Sequence, residues 1–338
     1  MKMMIVCSLM LFLFFDLFAV IPQHSAEYYE ALTPEVQKAQ RKGAKAKVIY
    51  RIVDDEGVPI TGKQVRYRWQ NDYPRMTWGG LAMTDTNGVV VLQEKVGARL
   101  AISLILDGYY ASSDKICFCW RKGVSPLVKD GKWQPYGEKR TLVVKRWKKP
   151  VEKSTILPGY SSIPAPVTNQ WVALDFEKMQ WCYPYGNGKC PDALFRFGGV
   201  RKDSRNFNIT LEVSFTNNPF AGYYIAKKDL YSEMKCDYFA PTNHLDYMAR
   251  ELKYEYVTAE GVVIKSECLK KDEYIVFRTR TRVDEDGNLV SANYGKISGE
   301  FCSGLAGIHF VDGVFFNLTP NDANLEDKDT YRRSVIFR

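Results

Sequence analysis

The sequence predicts an all-β chain folded as two β-sandwich domains. Apolar residues alternate with polar ones at period two in many short stretches, such as Val48, Tyr50 and Ile52, or Leu100, Ile102 and Leu104. Turn-forming clusters, DDEG at 54–57 and DTNG at 85–88 among them, separate those stretches at short intervals. Helical periodicity is limited to one short segment near the start, and the chain of 338 residues is long enough for two domains.

The chain opens MKMMIVCSLMLFLFFDLFAV, one Lys followed by an apolar run, and turns polar at IPQHSAEYY. That layout is a secretory signal peptide with a cleavage position near Ala26, so residues 1–26 are expected to be removed and the protein exported to the periplasm, the outer surface or the medium. Asp16 inside the run disfavours a retained membrane anchor, because a charge at the bilayer centre is costly. No later stretch is apolar for long enough to span a bilayer, so no transmembrane segment is expected once the signal is gone.

Residues 27–43 are expected to hold a short helix, with Thr33 as its cap and Pro34 and Glu35 in its first turn. Residues 44–146 follow as the first sandwich, where Val65, Tyr67 and Trp69 share one face of a strand and Leu100 to Leu106 supply another alternating set. Residues 147–168 are rich in Pro and basic charge and lack a sustained apolar period, which predicts an extended linker. Residues 169–338 form a second β-rich domain. There Ile209, Leu211, Val213 and Phe215 alternate, AEG at 259–261, DEDGN at 284–288 and VDG at 311–313 supply turns, and a jelly roll or other sandwich would close the core.

VIYRIVDDEGVPITGKQVRYRW, TDTNGVVVLQ and AISLILDGYYAS carry a pattern of strand, acidic-Gly turn followed by Pro, alternating strand, Thr-Asp-x-x-Gly and terminal Asp-Gly-Tyr. This resembles bacterial immunoglobulin-like modules related to the regulatory domain of carboxypeptidases, a transthyretin-like sandwich. The resemblance covers roughly residues 44 to 145 and implies an accessory frame rather than an active centre. The second half, through WVALDFEKMQWCYPYGNGKCPDALFRF, RTRTRVDEDGNLVSANYGKISGEF and FFNLTPNDANLE, looks like uncharacterised exported proteins of host-associated Gram-negative bacteria, and that likeness implies no activity.

A formal net charge of +8 favours acidic polymers or membrane surfaces without selecting one. The densest basic cluster is Lys145, Arg146, Lys148 and Lys149, and no nucleic-acid motif accompanies it. Cys7 lies in the leader. The seven later cysteines cannot all pair internally, and Cys182 with Cys190 is the expected disulfide because WCYPYGNGKCP reads as a loop returning on itself. Cys117 and Cys119, on one side of a strand, are expected not to bond to each other. With no CxxC spacing, and only His244 and His309 beyond the leader, neither a metal site nor a cofactor is expected.

Groups suited to catalysis are scarce. Cys302 with His309 could in principle form a nucleophile and base, although a buried thiol and a structural His explain them as well. Asp175 and Glu177 share a strand face, the geometry of a glycosidase carboxylate pair and equally of a solvated strand. A hydrolase with carboxylates in the C-terminal domain is therefore the alternative reading. Asp284, Asp286 and Asn288 open like a calcium loop, but Leu289 stands where Gly is needed and Gly295 where Glu is needed, so a hairpin turn is expected. The sequons at Asn208 and Asn317 read as strand residues. Trp181, Tyr183 and Tyr185 are the ligand-binding candidates, as an aromatic group on a loop able to stack on sugar rings or anchor a partner. Tyr109, Tyr110, Tyr223 and Tyr224 are lesser ones, and filling the core is the competing role for all of these rings. The prediction is an exported, noncatalytic envelope protein with a structural or binding role towards a polysaccharide or an envelope protein.

Overall fold

The computed structural model describes residues 32–327 except 73–74, 120–125, 160, 204–205, 216–217, 244–246, 248, 250, 260–261, 266–268, 300 and 305–306. The expected signal peptide, His244 and Cys268 lie outside the described residues. The helix α1 (Pro34–Lys42) forms where its signals place it: Thr33 Oγ1 accepts the Val36 N–H at 3.4 Å, and Val36 and Ala39 turn into the core.

The N-terminal sandwich is built from β1 (Ala44–Asp54), β2 (Gln64–Asp72), β3 (Arg75–Met83), β4 (Val89–Val96), β5 (Arg99–Leu104), β6 (Ser112–Cys117), β7 (Val128–Lys129), β8 (Lys132–Trp133) and β9 (Glu138–Val144). One sheet runs β4-β1-β8-β7 with β9 also beside β1; the other runs β3-β2-β5-β6. The alternation produces the core directly. Val48, Tyr50 and Ile52 from one sheet bury against Val65, Trp69, Leu100 and Ile102 from the other. The DTNG turn closes as its residues dictate, with Asp85 Oδ1 accepting the N–H groups of Asn87 and Val89 at 2.8 Å and Gly88 at φ 71°.

The C-terminal half comprises β10 (Ser154–Leu157), β11 (Ser161–Pro164), β12 (Trp171–Asp175), β13 (Gln180–Trp181), β14 (Ala193–Arg201), β15 (Phe207–Phe215), β16 (Gly222–Lys227), β17 (Glu251–Ala259), β18 (Val262–Lys265), β19 (Glu273–Val283), β20 (Leu289–Ile297), β21 (Phe301–Gly304), β22 (Gly307–Phe310) and β23 (Val314–Asn317). They form sheets ordered β13-β12-β14-β15-β17-β18, β10-β23-β20-β19-β16 and β11-β22-β21. The centre of this half is aromatic, with Phe277 4.6 Å from Phe176, 5.7 Å from Phe215 and 6.0 Å from Phe316 between ring centroids. Strand β19 is buried on both faces. Ile275 and Phe277 enter that core, while Tyr274 and Val276 enter a second cluster with Met234, Cys236, Tyr247 and Leu325.

The segment expected as a linker is not one. Within 147–168 the chain forms β10, paired with β23, and β11, paired with β22. Its basic start is fixed as well: the Lys148 and Lys149 N–H groups donate to the two oxygens of Glu326 at 2.7 and 2.8 Å, and Asn324 Nδ2 donates to Lys149 O at 2.6 Å. Pro164 ends β11, an edge strand, where a missing N–H costs no ladder bond. The halves are joined by buried contacts and hydrogen bonds. Tyr110 is buried with the second cluster, Lys145 Nζ donates to Cys236 O at 2.7 Å, and Ser113 N donates to Tyr231 O at 2.8 Å. Among the described residues, no helix is long and apolar enough to cross a membrane.

Candidate functional site

The loop from Trp181 to Asp192 leaves β13 and returns as β14, and the three predicted aromatic residues separate on it. Trp181 is buried: its ring meets Phe195 and Phe197 edge-on, each at 5.8 Å, and its Nε1 donates to Pro164 O at 2.7 Å. It cannot offer a face to a ligand. Register explains this, since Trp181 stands opposite Leu174, which is wholly buried. Tyr183 is 88% exposed and Tyr185 40%, the latter donating its hydroxyl to Gln170 Oε1 at 3.3 Å. Beside Gln170 stands Trp171, 42% exposed, with the Arg196 guanidinium 4.9 Å from its ring centroid and Arg196 itself paired to Glu212. The sequence analysis missed Trp171, although Val172 and Leu174 on the opposite parity were the signal that it faces outward. Of the lesser candidates, Tyr110 and Tyr223 are buried, while Tyr224 is 37% exposed and Tyr109 lies beneath Arg146.

The expected Cys182–Cys190 disulfide is not formed; both are thiols. The loop is closed by Asp175 instead. Its Oδ2 accepts the Lys189 N–H at 2.7 Å and the Cys190 N–H at 3.2 Å, tying the far end of the loop to the end of β12. Gly188 N donates to Trp181 O at 2.9 Å, and a Cβ on Gly188 would stand 2.8 Å from Asp175 Cβ, so this close approach needs glycine. Burial, then the nearby Asp175 and Asp192 charges, push the Cys182 thiol up to about 11, and burial also raises Cys190. Neither thiol is activated. Cys117 and Cys119 are not bonded to each other, as expected, although their sulfurs approach to 3.3 Å because β6 ends at Cys117 and the chain bends before Cys119.

Asp175 and Glu177, the carboxylate pair of the hydrolase reading, belong to an ion network. Asp175 Oδ1 accepts the Glu177 N–H at 2.9 Å and an Arg280 N–H at 3.0 Å. Arg280 also donates to both oxygens of Asp192 at 2.9 Å and to Glu177 Oε2 at 2.6 Å. The bulge between Thr279 and Arg282 places Arg280 at φ 52° and aims it there. Burial pushes the Asp175 carboxyl up, but the N–H groups of Lys189, Cys190 and Lys178, with Arg280, outweigh it and hold it below the ordinary carboxylate value. Burial of Asp192 prevails over Arg280 and raises it. A general acid must hold a transferable proton near the working pH, and Asp175 instead stays ionised with both oxygens engaged.

Cys302 and His309 do stand opposite each other in register across β21 and β22, and His309 is exposed. The 284–288 segment is a hairpin turn, with Asp284 Oδ1 accepting the Asn288 N–H at 2.7 Å. Both sequon residues lie in strands. Asn317 is fully buried, and its Nδ2 donates to Asp322 O and Asn324 O.

No family model and no curated protein matches the chain. Solved structures that it is similar to include 3-chlorocatechol 1,2-dioxygenase from Rhodococcus opacus, at 15% identity, a TM-score of 0.23 and coverage of 31% of this chain. The chain spans 61% of the length of that dioxygenase. Two others are pilins: BcpA, the major pilin subunit of Bacillus cereus (13% identity, 84% of this chain, 100% of that one, TM-score 0.21), and the full-length major pilin SpaD of Corynebacterium diphtheriae (8%, 86%, 85%, 0.22). At such TM-scores these likenesses carry no argument about activity or partners.

Proposed function

We propose that the chain is an exported, noncatalytic envelope protein whose N-terminal sandwich, of the carboxypeptidase-regulatory-like kind, is a frame for a polysaccharide-binding C-terminal module. The observation that carries this reading is the exposed ledge of Tyr183 and Tyr185, on a loop tied at its base by Asp175, with Trp171 at the start of β12. Aromatic faces held by a rigid scaffold stack on sugar rings without ordering themselves on binding. The network around Arg280 supports a noncatalytic role, because it engages the carboxylates that a hydrolase would need.

The test is a glycan-binding screen of the whole chain, beside the variants Tyr183→Ala, Tyr185→Ala and Trp171→Ala. Each lost stacking partner is expected to weaken the hit by ~1 kcal/mol or more. Unchanged affinity in all three, binding only to an envelope protein, or hydrolysis of the glycan with loss of turnover in Glu177→Gln would each defeat the reading.

A further inference from the structure

The outer face of the sheet β3-β2-β5-β6 has a charge pattern that the fold does not use. Register places Leu81, Arg66, Ser103 and Ser113 in one row across it and Gly79, Arg68, Ala101 and Lys115 in the next. Parity adds Arg75 and Arg99 to the cations of this face, while Asp72 is the acid, already paired with Arg99 at 3.5 Å. Arg66, Arg68 and Lys115 are exposed, and among the described residues their side chains make no ion pair or hydrogen bond. Several cations elsewhere in this chain are paired: Arg140 with Asp114, Arg146 with Asp54, Arg280 with Asp175. Collecting unpaired like charges on one sheet face is electrostatically unfavourable.

The face is also hollow. Gly79, Ala101, Ser103 and Ser113 are short, so the long cations flank a trough of about 640 Å³ on the β5–β6 side, walled by Leu230 and Tyr231. It continues over β2 and β3 into a further space of about 470 Å³. Asp114 at its margin is occupied, accepting from Arg140 at 2.7 Å and from the Tyr50 hydroxyl at 2.9 Å. Strand geometry sets Arg66 and Arg68 ~7 Å apart along β2, with neighbouring strands ~5 Å apart.

We infer that this trough binds a linear acidic polysaccharide, with Arg66, Arg68 and Lys115 holding its carboxylates. Charge complementarity fixes the sign of the ligand, and arginine forks suit carboxylates. The serine hydroxyls of the floor suit sugar hydroxyls. Among the described residues, the outward-facing positions of the four strands carry no aromatic ring, and the rings that border the trough, Tyr67 and Tyr231, stand at its margin. A concave floor admits a chain better than it admits a planar lipid surface. The floor of the site lies on the first sandwich and its wall includes Leu230 and Tyr231 of the C-terminal half; it stands apart from the aromatic ledge and does not depend on it.

The experiment is titration of the whole chain with polygalacturonate, with neutral dextran as the uncharged comparison. Saturable binding to polygalacturonate that weakens with salt is expected, and Arg66→Gln with Arg68→Gln should lower the affinity about tenfold or more. Lys115→Gln alone should weaken it in the same direction, which keeps the test open if the double variant does not fold. Lys45→Gln with Lys95→Gln removes the same charge from the opposite sheet and should change affinity less than about twofold. Tyr183→Ala should leave this binding intact, which separates the trough from the ledge. The inference is overturned by absence of polygalacturonate binding, by equal loss in the Lys45 and Lys95 pair, or by tighter binding to single-stranded DNA or to phosphatidylglycerol vesicles.

Discussion

Arg280 and Asp192 lie 88 residues apart in sequence and meet through two hydrogen bonds of 2.9 Å, one to each carboxylate oxygen. That pair joins the bulge of β19 to the start of β14, beneath the loop that carries Tyr183. Arg280→Met would leave Asp192 and Asp175 buried and facing each other. Breaking a buried pair from one side costs ~3–5 kcal/mol. Urea unfolding of Arg280→Met should show a loss of that size, and a change within error would mean that the network carries no stability.

The same network makes a signed pH prediction. A carboxyl depressed in the folded state, as Asp175 is, binds its proton less tightly there than in the unfolded chain. Its contribution is therefore complete above the ordinary carboxylate pKa of about 4 and is lost as pH falls through the lower folded value. Asp192, raised by burial, works in the opposite sense: its contribution is complete below that ordinary value and is lost as pH rises through the higher folded value. Asp175→Asn is expected to flatten the acid side of the stability profile. Unfolding free energies from about pH 3 to about pH 6 measure it, and an unaltered slope would refute the assignment.

Cys182 and Cys190 should react slowly with thiol reagents at neutral pH, since the thiolate is the reactive form and both groups are held above their ordinary value. Labelling of Cys182 should accelerate as pH approaches about 11. Rapid modification at pH 7 would show that the surroundings of the loop differ from those described.

Glu326 receives the Lys148 and Lys149 N–H groups, so Glu326→Ala leaves two donors without their acceptor. Each such charged hydrogen bond is worth about 1.5–3 kcal/mol. The expected outcome is new proteolytic cleavage near residues 148–153 at a protease dose that leaves the parent chain intact. No change in the digestion pattern would place the rigidity of the junction elsewhere.

The strands were legible because period-two alternation is a local property: Val48 to Ile52 and Ile209 to Phe215 name their own buried faces. Residues 147–168 were misread because β10 and β11 are short edge strands, where proline and charge are tolerated and four residues give too little alternation to register. Tyr183 and Tyr185 could be read as loop residues. The burial of Trp181 could not, since it depends on Phe195 and Phe197 across a sheet. The role of Asp175 was hidden for a related reason: its partner Arg280 is 105 residues away, and only the folded register brings them together.

Because Asp175 rather than a sulfur crosslink fastens the loop between Trp181 and Asp192, its shape is set by electrostatics and main-chain geometry alone. Glutathione, reducing cytosol and oxidising culture medium should all leave the same rim. Material folded under reducing conditions should present Tyr183 and Tyr185 just as material folded under oxidising conditions would.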